Sequence, residues 1–173
     1  MRRQPVRLAV ENLEPKRALS VTTSDIGALA IDRVEAPADK SYVAGEVLQF
    51  KVVATQPVTV IGKPEMNLTI GRSAAKAVYQ SGSGSNQLVF NYTVRNGDND
   101  ADGIAIGNAI ALPKGSSIRL GSTNLPLPLP TVNTSGVRVD TTPPKINALA
   151  APANRSYKAG EVLRFTATAS EAV

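Results

Sequence analysis

The strongest constraint on this chain is that it repeats itself. The segment Ile31 to Phe50, IDRVEAPADKSYVAGEVLQF, returns as Ile146 to Phe165, INALAAPANRSYKAGEVLRF, displaced by 115 residues. The alignment runs on without a gap to Val58 and Val173, and 14 of its 28 positions are identical. Solenoid repeats run to about 20–45 residues, so this period is far too long for one. It fits a self-sufficient β-sandwich of about 100 residues. The second copy holds about two strands, too few to bury a face independently. The expected organisation is therefore one complete copy and the start of another, from a longer array or a truncated reading frame.

Within the first copy the dominant signal has a period of two. Leu48, Phe50, Val52 and Ala54 alternate with Gln49, Lys51 and Val53, as do Leu88, Phe90, Tyr92 and Val94 with Gln87, Asn91, Thr93 and Arg95. Successive side chains of a strand point to opposite faces, so each run has one face for a core. The second copy keeps that face as Leu163, Phe165, Ala167 and Ala169, while outward Lys51 becomes Thr166. Met66, Leu68 and Ile70 form another set, and shorter strands are expected at Ile104–Ile106, Ile118–Leu120 and Val137–Val139. Gly62-Lys63-Pro64 and Gly71-Arg72-Ser73 break these runs, and the Gly/Ser stretch 81–85 reads as a hairpin loop. Alternating prolines at 126, 128 and 130 forbid a central strand there and predict an extended edge or crossover. No stretch from residue 25 onward has a helical period with caps.

Composition narrows the chemistry. The chain has no His, no Cys and no Trp, which removes the Ser-His-Asp triad, the thiol nucleophile and ordinary zinc or iron sites. The net charge of +5 is mostly a property of the tail: residues 1–20 hold five basic and two acidic side chains. A nucleic-acid partner calls for a basic face in the folded part, and none is visible. The tail has no uninterrupted apolar run for a secretory core or a membrane span, so membrane insertion is not expected. Domain boundaries follow: a disordered basic tail over 1–24, a sandwich over 25–140, a Thr-Thr-Pro-Pro linker over 141–145 and the second copy over 146–173.

Two resemblances add to this. Leu13-Glu14-Pro15-Lys16-Arg17-Ala18-Leu19, after Arg2-Arg3, resembles the LEPR-x-LL motif at the start of large bacterial surface proteins, with Lys16 for Arg and Ala18 for the first Leu. Residues 30–144 resemble the immunoglobulin-like repeats of bacterial adhesins. The resemblance is carried by Tyr42-x-Ala-Gly-Glu46-x-Leu-x-Phe50, Gly62-x-Pro-x-Met66-x-Leu68, Ala77-x-Tyr79-x-Ser-Gly-Ser-Gly84, Gly97-Asp-x-Asp100-x-Asp102-Gly-Ile104 and Val139-Asp-Thr-Thr-x-Pro144. It departs after Ile118, where an Asp/Gly/Asn-rich turn is replaced by Gly121-Ser-Thr-Asn124 and the Leu-Pro run. The resemblance implies an immunoglobulin-like antiparallel β-sandwich, all-β, with a spacer or adhesion role in a cell-surface or extracellular protein. Its expected partners are neighbouring repeats and a surface or matrix polymer. The other function considered is a carbohydrate- or matrix-binding accessory module of a secreted enzyme, which calls for an exposed aromatic platform.

Few residues invite a chemical role. Asp98-Asn99-Asp100-Ala101-Asp102-Gly103 matches the opening of an EF-hand loop, but the twelfth position is Ala109 and not the bidentate Glu. The first reading is a solvated acidic turn. The second is a different kind of calcium loop in which Asp98, Asp100 and Asp102 hold Ca²⁺, with Asp32 and Asp140 as weaker candidates at a junction between copies. Glu46 and Glu161 recur in an Ala-Gly-Glu turn, where a solvated or backbone-capping role is expected in preference to catalysis. Tyr42 and Tyr157 occupy equivalent positions and are expected to pack at a sandwich corner, with stacking on a ligand as the alternative.

Overall fold

The computed structural model describes residues 28–170. The LEPR-x-LL-like run and the whole basic tail lie outside them, as do the last three positions of the second copy. All regular structure among the described residues is β.

The first copy contains eleven strands: β1 Ile31–Glu35, β2 Lys40–Tyr42, β3 Val47–Ile61, β4 Glu65–Ile70, β5 Ser73–Ser81, β6 Ser85–Thr93, β7 Asn99–Asp100, β8 Ala105–Ala111, β9 Ser117–Leu120, β10 Thr123–Asn124 and β11 Val137–Asp140. The larger sheet runs β10-β9-β3-β6-β5-β4-β8, with β1 on β3, and the smaller sheet runs β2-β11-β7. In this copy the runs from Leu48, Met66 and Leu88 form strands β3, β4 and β6, and their apolar faces are buried. Leu48, Phe50, Met66, Leu88 and Phe90 from the larger sheet and Tyr42, Val137 and Val139 from the smaller one belong to a single core. Two layers around one core give the sandwich, and neither sheet closes into a barrel. Each large apolar side chain buried there contributes about 1.5–3 kcal/mol.

Two features depart from simple antiparallel pairing. The first and last strands of the smaller sheet, β2 and β11, pair in parallel, Lys40 opposite Val137 and Tyr42 opposite Val139. Parallel strands require a long connection, and here almost the whole module supplies it. The second departure is the length of β3, which runs through Pro57. Its register with β6 slips between Val53 and Val58, and Thr59–Ile61 then pair with β9. A proline cannot donate to a ladder and is tolerated at such an irregularity. The Leu-Pro run follows the sequence expectation. It lies along β8, where Ile110 N donates to Leu127 O (3.0 Å) and Leu129 N to Asn108 O (2.8 Å). Leu125, Leu127 and Leu129 turn towards the core while the intervening prolines face out.

The second copy contributes β12 Ile146–Ala150 and β13 Thr166–Ala169. Their register, Ile146 opposite Ala169 and Ala150 opposite Thr166, reproduces that of β1 on β3, Ile31 opposite Ala54 and Glu35 opposite Lys51. The bulge between the first and third residues recurs as well. The environment does not recur. Leu48 and Phe50 are 0% exposed, whereas Leu163 is 51% and Phe165 62% exposed.

Candidate functional site

Chemistry-bearing side chains gather in two places, the turn before β3 and the acidic segment 96–103.

The first is a corner built identically in both copies. Tyr42 is buried, and its hydroxyl donates to the carbonyl of Ala38 at 3.0 Å. Tyr157 donates to Ala153 at 2.9 Å. A buried tyrosine has an apolar body and a polar tip that must find a partner; a carbonyl four residues back supplies it and pins the bend. Glu46 Oε2 accepts from the Val43 amide at 2.9 Å, and its other oxygen pairs with Lys40. Glu161 accepts from Lys158 N at 2.6 Å and pairs with Arg155 at 2.9 Å. The Lys40 ammonium, then the Val43 amide, hold the Glu46 carboxyl below its ordinary range. Arg155 and the Lys158 amide do the same for Glu161. The basic head also covers the ring: Lys40 Nζ lies 4.5 Å from the Tyr42 centroid, and Arg155 Cζ 4.0 Å from that of Tyr157. These are the capping and corner-packing roles expected of the glutamates and tyrosines. The basic partners at 40 and 155 were not singled out, although the Lys-to-Arg exchange between copies marks them.

The second place is the acidic segment. Asp98 Oδ2 accepts from the Tyr92 hydroxyl at 2.7 Å and the Arg95 amide at 2.8 Å. Asp100 is 6% exposed; its Oδ2 accepts from Gly71 N at 2.5 Å and its Oδ1 from Gly103 N at 2.8 Å. Asp102 is exposed. Asn99 Oδ1 accepts from the Thr141 amide at 3.0 Å. The segment is solvated only in part: Asp100 is buried and Asp98 half-buried, while Asn99 and Asp102 are exposed. Asp98 through Oδ2 and Asp100 through both oxygens accept from donors of the chain itself, and no group of three or more candidate metal-ligating side chains converges among the described residues. The two glycines serving Asp100 explain their own identity. Gly71 (φ +58°) and Gly103 (φ +104°) lie in the left-handed region, and a Cβ on either would collide with backbone, that of Asn99 or of Thr134–Ser135.

Asp32 and Asp140 are not brought together. Asp140 follows Val139, opposite Tyr42, near the start of β3, and accepts from Thr142 N at 2.9 Å. Asp32 pairs with Arg33 at 2.9 Å beside Val53–Ala54. Seven strand residues, about 23 Å, separate those ends of β3.

The surface hollows are shallow and lie around these elements. One is lined by Ser41, Asn99, Asp100, Arg138, Asp140 and Thr142, beneath the linker. The aromatic rings of the first copy, Tyr42, Phe50, Tyr79, Phe90 and Tyr92, all belong to the core. No family model, curated protein or solved structure matches the chain.

Proposed function

We propose that the chain is a non-enzymatic structural and adhesive spacer from a large bacterial cell-surface or extracellular protein, in which immunoglobulin-like sandwiches stand in series. The observation that carries this reading is the recurrence of one folding corner at a 115-residue interval, with the same hydrogen bonds from Tyr42 and Tyr157 and the same caps from Glu46 and Glu161. A unit that rebuilds its own corner and sheet register beside a complete copy is the unit of a tandem array. Aromatic rings committed to the core offer no flat platform for sugar rings, which favours a spacer over an accessory sugar-binding module.

The test joins two copies of residues 28–140 through the native 141–145 linker. Small-angle scattering should give a particle whose longest dimension approaches the sum of two single modules. Collapse of the pair onto itself would overturn the spacer reading. Such collapse together with saturable binding of a short oligosaccharide by a single module would replace it with the accessory-module reading.

A further inference from the structure

The linker between the copies is hydrogen-bonded at both ends to the modules it joins. On the first side, Thr141 Oγ1 accepts from Gly97 N at 2.9 Å and donates to Asp98 O at 3.0 Å. The Thr141 amide donates to Asn99 Oδ1 at 3.0 Å, and the Thr142 hydroxyl reaches the same oxygen at 3.4 Å. The partners are not free to follow the linker. Asp98 is held to Tyr92 and Arg95, and Asn99–Asp100 is strand β7, paired with Val139 and Asp140 of β11. On the second side, Lys145 N donates to Ser170 Oγ at 3.0 Å and Ser170 N to Lys145 O at 2.7 Å. The first copy has this same clamp at the equivalent positions: Ala30 N donates to Thr55 Oγ1 at 3.1 Å, and Thr55 N to Ala30 O at 2.9 Å.

We infer that the Gly97–Asn99 loop is a latch on the linker, which together with the Lys145–Ser170 clamp confines bending between the copies to Pro143–Pro144. Proline fixes φ, and a residue before proline is held to extended conformations, so Thr142, Pro143 and Pro144 have little freedom left. Without the latch the joint would begin at the end of β11; with it, the bending point moves beyond Thr142. The acidic segment thereby has a mechanical role, presenting backbone and Asn99 acceptors to the linker while Asp98 and Asp100 fix the loop to the core. The use of a stiff joint rests on the spacer reading above; the latch itself does not.

The test is amide hydrogen exchange and ¹⁵N relaxation on the intact chain, its Thr141→Val and Asn99→Ala variants, and Thr141→Ser as the conservative control. In the parent and in Thr141→Ser, Thr141 and Thr142 should have order parameters near those of the sheets, about 0.85, falling below about 0.6 in the other two. Exchange of the Gly97 amide should accelerate about tenfold or more in Thr141→Val, and that of Thr141 in Asn99→Ala, while Phe50 and Phe90 stay protected. A parent linker already below that range, or variants that leave it unchanged, would overturn the latch. Should a variant fail to fold, the parent and Thr141→Ser order parameters still decide. Loss of the latch would leave the extended pair of modules to be judged by scattering, and sugar binding would leave the latch intact.

Discussion

The carboxylate of Asp100 accepts a hydrogen bond from the amide of Gly71, 29 residues away along the chain, at 2.5 Å, and so ties the β4–β5 turn to β7, an edge strand of the smaller sheet. Its other oxygen takes the Gly103 amide at 2.8 Å. Removing this acceptor strands two donors next to the core. Asp100→Ala should destabilise the first copy by about 2–4 kcal/mol, and Asp100→Asn, which keeps one acceptor oxygen, by roughly half as much. Urea denaturation should show the midpoint falling at constant slope.

The donor side of that bond makes a separate prediction. Gly71 combines a left-handed backbone with close approach to the Asn99 carbonyl, whereas Gly84 (φ +86°) has nothing within 4 Å of an added Cβ. Gly84→Ala should cost only the conformational penalty of about 1–2 kcal/mol. Gly71→Ala adds a steric clash with backbone and should exceed it, at roughly 3 kcal/mol or more. Equal losses in parallel thermal melts would mean that the Asn99 approach is not tight.

Tyr92 gives a pH dependence. Burial, followed by its hydrogen bond to Asp98, pushes the phenol up from an ordinary 10.0 to about 12. A folded-state value above the unfolded one means that the neutral phenol stabilises the fold. That contribution is complete below about pH 10 and is lost as pH rises towards about 12, because the unfolded chain releases its proton first. Stability measured by denaturant across this window should fall in the parent more steeply than in Tyr92→Phe. At neutral pH the variant should be less stable by about 1–2 kcal/mol, for the hydrogen bond to a charged acceptor.

Much of this was legible in the sequence because strand periodicity is a local property. Leu48 to Ala54 and Leu88 to Val94 declare their buried faces residue by residue, and comparison of the copies separates core positions, which persist, from solvent positions, which change. The Tyr-Glu corner was readable for the same reason. The acidic segment was not, because its decisive partners are distant: Gly71 and Thr141 reach it through tertiary folding, and a run of aspartates looks the same whether it faces water, a cation or backbone amides. Strands β7 and β10 are two residues each and carry no period. The parallel pairing of β2 with β11 depends on how the chain closes on itself, which alternation does not encode.

Calcium follows from that ambiguity. Asp98 Oδ2 accepts from Tyr92 and Arg95, and the two oxygens of Asp100 accept from Gly71 and Gly103, so a cation would compete with these donors for the same two carboxylates. Millimolar Ca²⁺ should leave the thermal midpoint of the first copy unmoved. A ligand present at a hundred times its dissociation constant adds about 2.7 kcal/mol, so a true site would be visible as a clear upward shift. Such a shift, abolished by joint Asp100→Asn and Asp102→Asn replacement, would establish the calcium reading.

The paired copies permit an internal comparison of one side chain in two environments. Phe50 and Phe165 are equivalent in the repeat and follow the same Glu-Val-Leu run, yet one is 0% and the other 62% exposed. Phe50 faces Phe90 across the β3–β6 ladder, and Tyr79 meets Phe90 edge-on at 5.9 Å. Truncating Phe50 removes a large buried surface and leaves a cavity in a core shared by both sheets. Phe50→Ala should therefore cost about 3–5 kcal/mol. Phe165→Ala should lie within about 0.5 kcal/mol of the parent in this chain, as surface substitutions do. If Phe165→Ala proved as costly as Phe50→Ala, the second copy would already be packed against something, and its aromatic face would not be open.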